Sequence, residues 1–481
     1  MNNANADQVS NPSQWTPERV ALTGRTIGLV SVGGVVLGLF ASAMQLYWVA
    51  VAIGGLLVVL LVSWQFEGAL ALYALVAFVP WGQSPGLTGG SGASKGLYVS
   101  EIMLGFLLVV WFGKYVCGML PAKRIRTGFY VPLALYVIYC VINVVSSFLF
   151  WDYHVNRVYQ YAQVNVVDLG LHVLSSGALV MMATSISEVR WLRFVTIALL
   201  IAGTYNGLNS LLGGVIPVAA PWWPLVVLLP AGYALAIALD ASRSVAVRGA
   251  ASAGVLLAIF LILIRGISWV SGWLGLFVTL GTVLYIKSKR GFLICALVAL
   301  VLAIVAKPFL YENVVAKSQT EGDYDRFALM AGAWRYAVTF PLGVGLGNYR
   351  SYNSFYYGEK WGTTSYTSAH GTYSQHLSET GILGLVLFLA ILISGFRWML
   401  ANYRKMPPGP SKTYLLAAMG QLAGISAAAV IGDYIIPSYH NGGIVNFSTT
   451  VYSWLIWGLA VAHVRLSQTG ERDRHVHEQT G

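Results

Sequence analysis

The stretch His370-Gly-Thr-Tyr-Ser-Gln-His376-Leu-Ser-Glu-Thr-Gly381-Ile-Leu-Gly384-Leu-Val-Leu-Phe-Leu-Ala-Ile-Leu-Ile-Ser-Gly395 changes character at Gly381. Up to Thr380 it is polar, with two histidines and a carboxylate; beyond Gly381 only Ser394 and small glycines interrupt an apolar run. Carried on to residue 399, that run has the length of about twenty residues that an α-helix needs to cross the hydrocarbon layer. A polar segment with titratable groups joined directly to a membrane span decides how the rest is read.

Working outward, 57% of the chain is hydrophobic, only 10% is charged and the mean hydropathy is +0.67. That is more apolar surface than a soluble core of this size hides. Further apolar runs lie near 27–44, 46–64, 68–80, 100–118, 129–150, 171–184, 194–212, 224–239, 249–264, 269–286, 291–306, 414–431 and 447–464. With 381–399 they give about fourteen expected spans. The alternating pattern of a membrane β-barrel is absent, so the expected fold is all-α and polytopic. One membrane domain, 27–466, is flanked by polar tails, 1–26 and 467–481. Ala41-Ser42-Ala43 resembles a signal-peptidase site, but a second apolar run follows at once, and the reading keeps the first span.

Net charge is +11. In a soluble protein this would suggest nucleic acid; here Lys and Arg gather in alternate short segments between spans, which is the bias that orients membrane proteins. Both tails then face the cytoplasm, and Pro308–Gly384 is a large outer-face loop carrying short helices, in the periplasm of a Gram-negative inner membrane. Cys117, Cys140 and Cys295 lie in or beside apolar runs without metal-ligand spacing, so neither a disulfide framework nor a metal site is expected.

The catalytic part of the loop, about 308–380, concentrates the candidate chemistry. His370 precedes a helix re-entering the membrane, at an interface where an imidazole can take a proton near neutrality. The bland alternative is a hydrogen-bonded surface histidine; His376 lies further along the same helix and has less claim. Arg265 stands between two spans with almost no loop, where a cation either reaches lipid headgroups or holds an anion with its planar fork. Gly343-Val-Gly-Leu-Gly-Asn348 looks superficially like a phosphate loop but follows no strand, and reads better as the turn that ends a helix over 326–340. The rings Tyr349, Tyr352, Phe355, Tyr356, Tyr357, Trp361, Tyr366 and Tyr373 suit interfacial anchoring first and sugar faces second.

The segment His370–Gly384 resembles the signature of the O-antigen ligase and O-antigen polymerase superfamily. His370, Gly381 and Gly384 stand at the family's spacing, while Gly371 replaces its usual small polar residue. Pro341–Tyr349, led by Arg326 and Trp334, is similar to the family's loop pattern, and Arg265-Gly266 resembles its arginine-glycine pair. The resemblance implies a metal-independent, inverting glycosyltransferase without cofactor. Its donor is a polyprenyl-diphosphate-linked glycan, and its acceptor is either another repeat unit or lipid A-core. Membrane lipids and polysaccharide-assembly proteins are the implied partners, and nucleic acid is not. On this model His370 is the general base, Arg265 and Arg326 bind the diphosphate, and Arg157, Glu379 and Tyr373 are supporting groups. Gly371 and the tyrosine tract lean the expectation toward a polymerase over a ligase. The competing class is a transporter or channel, which would place its polar groups at mid-membrane on broken spans; here they crowd the outer interface.

Overall fold

The computed structural model describes residues 58–59, 61–76, 99–120, 126–157, 161–211, 224–265, 269–305, 307, 323–356, 368–440 and 443–480. The chain divides into two compact units, residues 1–69 and 70–481. In the first, the described residues 61–64 and 66–69 are helical. Helix α1, Phe66–Val76, runs across the boundary.

Among the described residues every regular element is a helix, as the expected class requires. After α1 come α2 (Val99–Val116), α3 (Tyr130–Leu149), α4 (Tyr161–Ser185) and α5 (Val189–Leu211). A short turn at Pro224–Val227 leads into α6 (Leu228–Ala238), followed by α7 (Val245–Arg265), α8 (Val270–Lys287) and α9 (Lys289–Val305). The loop region contributes α10 (Asp323–Thr339), α11 (Tyr349–Tyr356) and α12 (Thr372–Glu379). The chain then finishes with α13 (Gly381–Lys405), α14 (Pro410–Ala428) and α15 (Gly443–Thr480).

Four helices, α3, α4, α8 and α13, are long and apolar enough to cross a membrane. Shorter apolar helices lie at Phe66–Leu75, Ile102–Val116, Leu225–Ala238 and Val245–Phe260. The described residues thus support an apolar helical membrane protein with four such spans, against the about fourteen expected from run lengths. The run at 27–44 and most of that at 46–64 fall outside the described residues.

The packing follows from where the small residues lie. On α14 a Cβ at Gly424 would stand on Thr279 Oγ1 and one at Gly420 would meet Val283 at 2.7 Å, so α8 and α14 approach backbone to backbone. Gly232 brings α6 against the same pair, through Thr279 and Ala417. In membranes, where lipid tails are as apolar as leucine, such close contact is the main attraction between helices. Helix α15 packs along α4, and its stretch Val451–Val464 is buried throughout, including Trp454 and Trp457. Both indoles find acceptors, Ile435 O and Gln421 Oε1, at 2.9 and 2.8 Å.

Two expectations need correction. The span expected at 171–184 begins ten residues earlier, at Tyr161, so half of the stretch 151–170 between two expected spans is helix. A hydropathy window stops at Asn165 and Asp168, yet both are buried and partnered, and partnered polar groups do not end a helix. The helix after His370 is also not continuous with the span: α12 ends at Glu379, and the chain turns through Thr380 and Gly381, at φ +68°, where α13 starts.

Candidate functional site

The glycine-rich segment Pro341–Asn348 is the turn after α10, as expected, and it is also a docking element. Val344 N–H donates to Ser378 O and Gly345 N–H to Glu379 O, both at 2.9 Å, while Ile382 N–H donates to Pro341 O at 3.1 Å. The turn therefore lies along the break between α12 and α13. Asn143, in the middle of α3, secures both sides. Its amide donates to Leu342 O and to Glu379 O at 3.1 Å each, and its carbonyl accepts Leu346 N–H at 3.0 Å. Tyr139 OH adds a bond to Thr380 O at 2.8 Å. From α4, Asn165 donates to Leu346 O and to Asn348 Oδ1. A polar residue at mid-span here serves backbone groups that lipid cannot satisfy.

Just before α12 the chain passes through His370, whose φ of +50° is the only positive value at a non-glycine among the described residues. The left-handed region costs an L-residue about 1–2 kcal/mol, so it persists only where neighbours impose it. They do so from both sides. His370 N–H donates to Ser368 Oγ at 3.2 Å, and Ser368 Oγ–H donates to Asp433 Oδ2 at 3.3 Å. Ala369 N–H is taken by Gln375 Oε1 at 2.8 Å. After it, Thr372 N–H bonds Ala429 O at 3.0 Å and Thr372 Oγ1–H bonds Gly432 O at 3.0 Å. Gly371 is extended, and a Cβ there would meet Val430 O at 2.7 Å; the departure from the family's pattern thus has a packing reason. His370 is partly exposed, while residues 371–372 and 374–380 are buried.

The other expected residues take different places. Glu379 is buried, accepts Tyr349 N–H at 3.3 Å, and stands near Asp168. Burial first, and the Asp168 carboxylate second, push its pKa well above the usual carboxylate range, which suits a structural acid holding α11. Tyr373 is half-buried, and its hydroxyl donates to Ser426 O at 2.8 Å. Arg157 is exposed, donates to Tyr161 OH at 2.7 Å and stacks over the rings of Trp151 and Tyr161 at 5.1 and 4.4 Å. Arg265 closes α7 and Arg326 lies on α10, but their side chains fall outside the described set, as do Tyr357, Trp361 and Tyr366. Tyr349 and Tyr352 belong to a buried cluster with Val155, Ala333, Tyr336, Val344 and Ala369. Those two rings hold the loop together and do not face a ligand.

His376 is more than a second surface histidine. It is buried, with Nδ1 2.7 Å from Thr372 O and Nε2 2.7 Å from Tyr136 OH, which also lies 2.7 Å from His172 Nδ1. A carbonyl only accepts, so His376 carries its proton on Nδ1 and Nε2 must accept from Tyr136. Tyr136 oxygen then accepts from His172 Nδ1–H. The chain of hydrogen bonds runs from His172 through Tyr136 and His376 to Thr372 O, and it ties α3, α4 and α12 together within six residues of His370. Replacing Tyr136 by Phe strands the His172 N–H and the His376 Nε2 lone pair; we expect a loss of roughly 1–3 kcal/mol. Denaturant unfolding of the purified variant checks this, and wild-type stability would contradict it. Burial lowers the His376 pKa from 6.5 to about 4. Folded protein thus binds fewer protons here than unfolded chain between those values, so this contribution to stability is full above pH 6.5 and falls as pH drops toward 4.

Sequence reasoning did not single out the segment Val430–His440, which forms the far wall. It supplies Gly432 O and Asp433, Tyr439 N–H donates to Asp168 Oδ1 at 3.1 Å, and His440 Nε2–H donates to Gly347 O at 3.1 Å. Its signal was weak but present: Asp433 and His440 follow directly on an apolar run.

The family model described as O-antigen ligase matches residues 224–389. The matched stretch includes Arg265, Arg326, His370 and Glu379, and excludes Asn143, Asp168 and the Val430–His440 wall. No curated protein matches the chain.

Proposed function

Since the chain carries a segment of the O-antigen ligase/polymerase superfamily, we propose that it transfers a glycan from a polyprenyl-diphosphate carrier to a hydroxyl acceptor at the outer face of the bacterial inner membrane. The observation that supports this most is His370, partly exposed at a strained turn that Ser368, Asp433 and Thr372 hold. In this reading His370 takes the proton of the acceptor hydroxyl as its oxygen attacks the anomeric carbon. The carbon–oxygen bond to the diphosphate breaks, and polyprenyl diphosphate leaves with the electron pair. Attack from the face opposite the leaving group inverts the anomeric centre. Arg265 and Arg326 are assigned to the diphosphate, where a guanidinium stabilises the charge that grows on the leaving oxygen. No cofactor or metal ion is assigned a step.

Two features had leaned the acceptor toward a growing repeat-unit chain. Gly371 has a packing reason, and Tyr349, Tyr352 and Tyr373 are engaged within the fold, while Tyr357, Trp361 and Tyr366 lie outside the described residues; the reading keeps a repeat-unit chain as the first acceptor and lipid A-core as the alternative. Polymerisation and ligation to lipid A-core are therefore the two outcomes of one experiment. Deleting the gene and resolving surface glycans on a gel should leave single-repeat products for a polymerase, or full-length chains on the polyprenyl carrier for a ligase. An unaltered glycan profile would contradict both, and would return the reading to transport.

A further inference from the structure

At the end of the bundle away from His370 lies a cavity of about 330 Å³ between the ends of α6, α8, α13 and α14. Helix α13 separates the two sites: it starts beside the His370 segment and carries Tyr403 at its other end, so its 25 residues span about 37 Å at 1.5 Å per residue. The cavity is at the lower end of the range for small-molecule sites, roughly 300–1,000 Å³. Ala236 and Leu416 give it an apolar side, whereas Lys287, Lys412, Tyr403 and Thr413 give it a polar one.

Its charge is unbalanced. The one carboxylate on the wall, Asp240, already accepts Ser242 Oγ–H at 2.8 Å and faces Arg243 at 3.6 Å. Those contacts, with the nearby Lys287, hold its pKa below the usual carboxylate value. Lys412 spends one of its three donors on Met406 O at 2.7 Å and rests over the Tyr403 ring at 5.1 Å. The geometry keeps that ammonium at the cavity with donors to spare. Two lysines therefore line a space with a single acid, Asp240, which both Arg243 and Lys287 attend, and basic charge is left in excess. Lys287 is exposed and Lys412 half-buried, so both ammonium groups can meet an anion that enters from the surface.

We propose that this cavity binds a phosphate-bearing anionic group, gripped by Lys287 and Lys412 with the Tyr403 and Thr413 hydroxyls beside them. The chemistry is shared by two sources, an anionic phospholipid headgroup and a soluble phosphate. The proposal does not rest on the glycan-transfer reading, and its variants lie outside that machinery.

The test uses the full chain in an uncharged detergent, with the thermal unfolding midpoint as readout, because a ligand that binds the folded state raises it by mass action. The probes are inorganic phosphate at constant ionic strength, and mixed micelles containing phosphatidylglycerol or, as the net-neutral control, phosphatidylcholine. A rise with phosphatidylglycerol alone supports a lipid headgroup; a rise with phosphate as well supports a soluble anion. In Lys287→Ala/Lys412→Ala the probe concentration needed for half the effect should increase at least about tenfold, the loss expected for a charge-assisted hydrogen bond. Lys287→Ala alone keeps the Lys412–Met406 contact, and should move the same curve in the same direction if the double variant misfolds. No response to phosphate together with equal responses to the two lipids overturns the proposal. So does an unchanged response in Lys287→Ala and the double variant.

Discussion

Replacing His370 by Ala should lower glycan transfer by about 10²–10⁴-fold, the range for losing a positioned general base, while the protein remains inserted and folded. Retention of the fold is expected because His370 is partly exposed, and the bonds from its backbone N–H to Ser368 and from Ala369 and Thr372 on either side do not need the imidazole. A second variant separates chemistry from backbone strain. His370→Asn keeps a side chain tolerant of the left-handed region but cannot take a proton, so it should be as inactive as the alanine variant. Wild-type transfer in both variants would remove His370 from the mechanism.

Gly343→Ala should be among the most damaging single methyls in the loop. Gly343 sits at φ +82°, and a Cβ there would lie 2.2 Å from Glu379 O. The backbone conformation alone costs about 1–2 kcal/mol. Relieving the clash also pulls apart the Val344–Ser378 and Gly345–Glu379 bonds, each worth about 1 kcal/mol. A total of roughly 3–4 kcal/mol follows, enough to release α12 from the turn and take His370 with it. Gly118 gives the control, since it has φ +69° but nothing within 4 Å of an added Cβ; Gly118→Ala should pay only the backbone part. Denaturant unfolding of the two variants side by side reads the difference, and equal losses would show that the contact with Glu379 contributes nothing.

The sequence announced the parts that rest on run length and on glycine. Apolar runs place the helices, the glycine spacing places the turn after α10, and Gly381 marks where the chain changes direction. Burial of Asn165 and Asp168 could not be read in the same way, because a hydropathy pattern registers a polar residue as an interruption whether or not a partner waits for it. Their partners, Asn348 and Tyr439, lie more than a hundred residues away. The same holds for His376: its neighbours in the chain suggest an exposed helix, while its hydrogen-bonding partner Tyr136 is on α3. Tyr349 and Tyr352 misled in the opposite sense, since an aromatic tract beside polar residues suggests interfacial anchoring first and a sugar surface second, and packing against Ala333 and Tyr336 turns these two rings into core.

The central claim is that His370 and its loop catalyse direct glycan transfer from a diphosphate carrier without a metal ion. The purified protein, reconstituted with a polyprenyl-diphosphate-linked glycan and a glycan acceptor in excess chelator, tests it most directly, with the anomeric configuration of the new bond read by NMR. The account predicts one equivalent of polyprenyl diphosphate released per bond formed, inverted at the anomeric carbon, and little of either in His370→Ala. Transfer that stops in chelator, or a product of retained configuration, would contradict it.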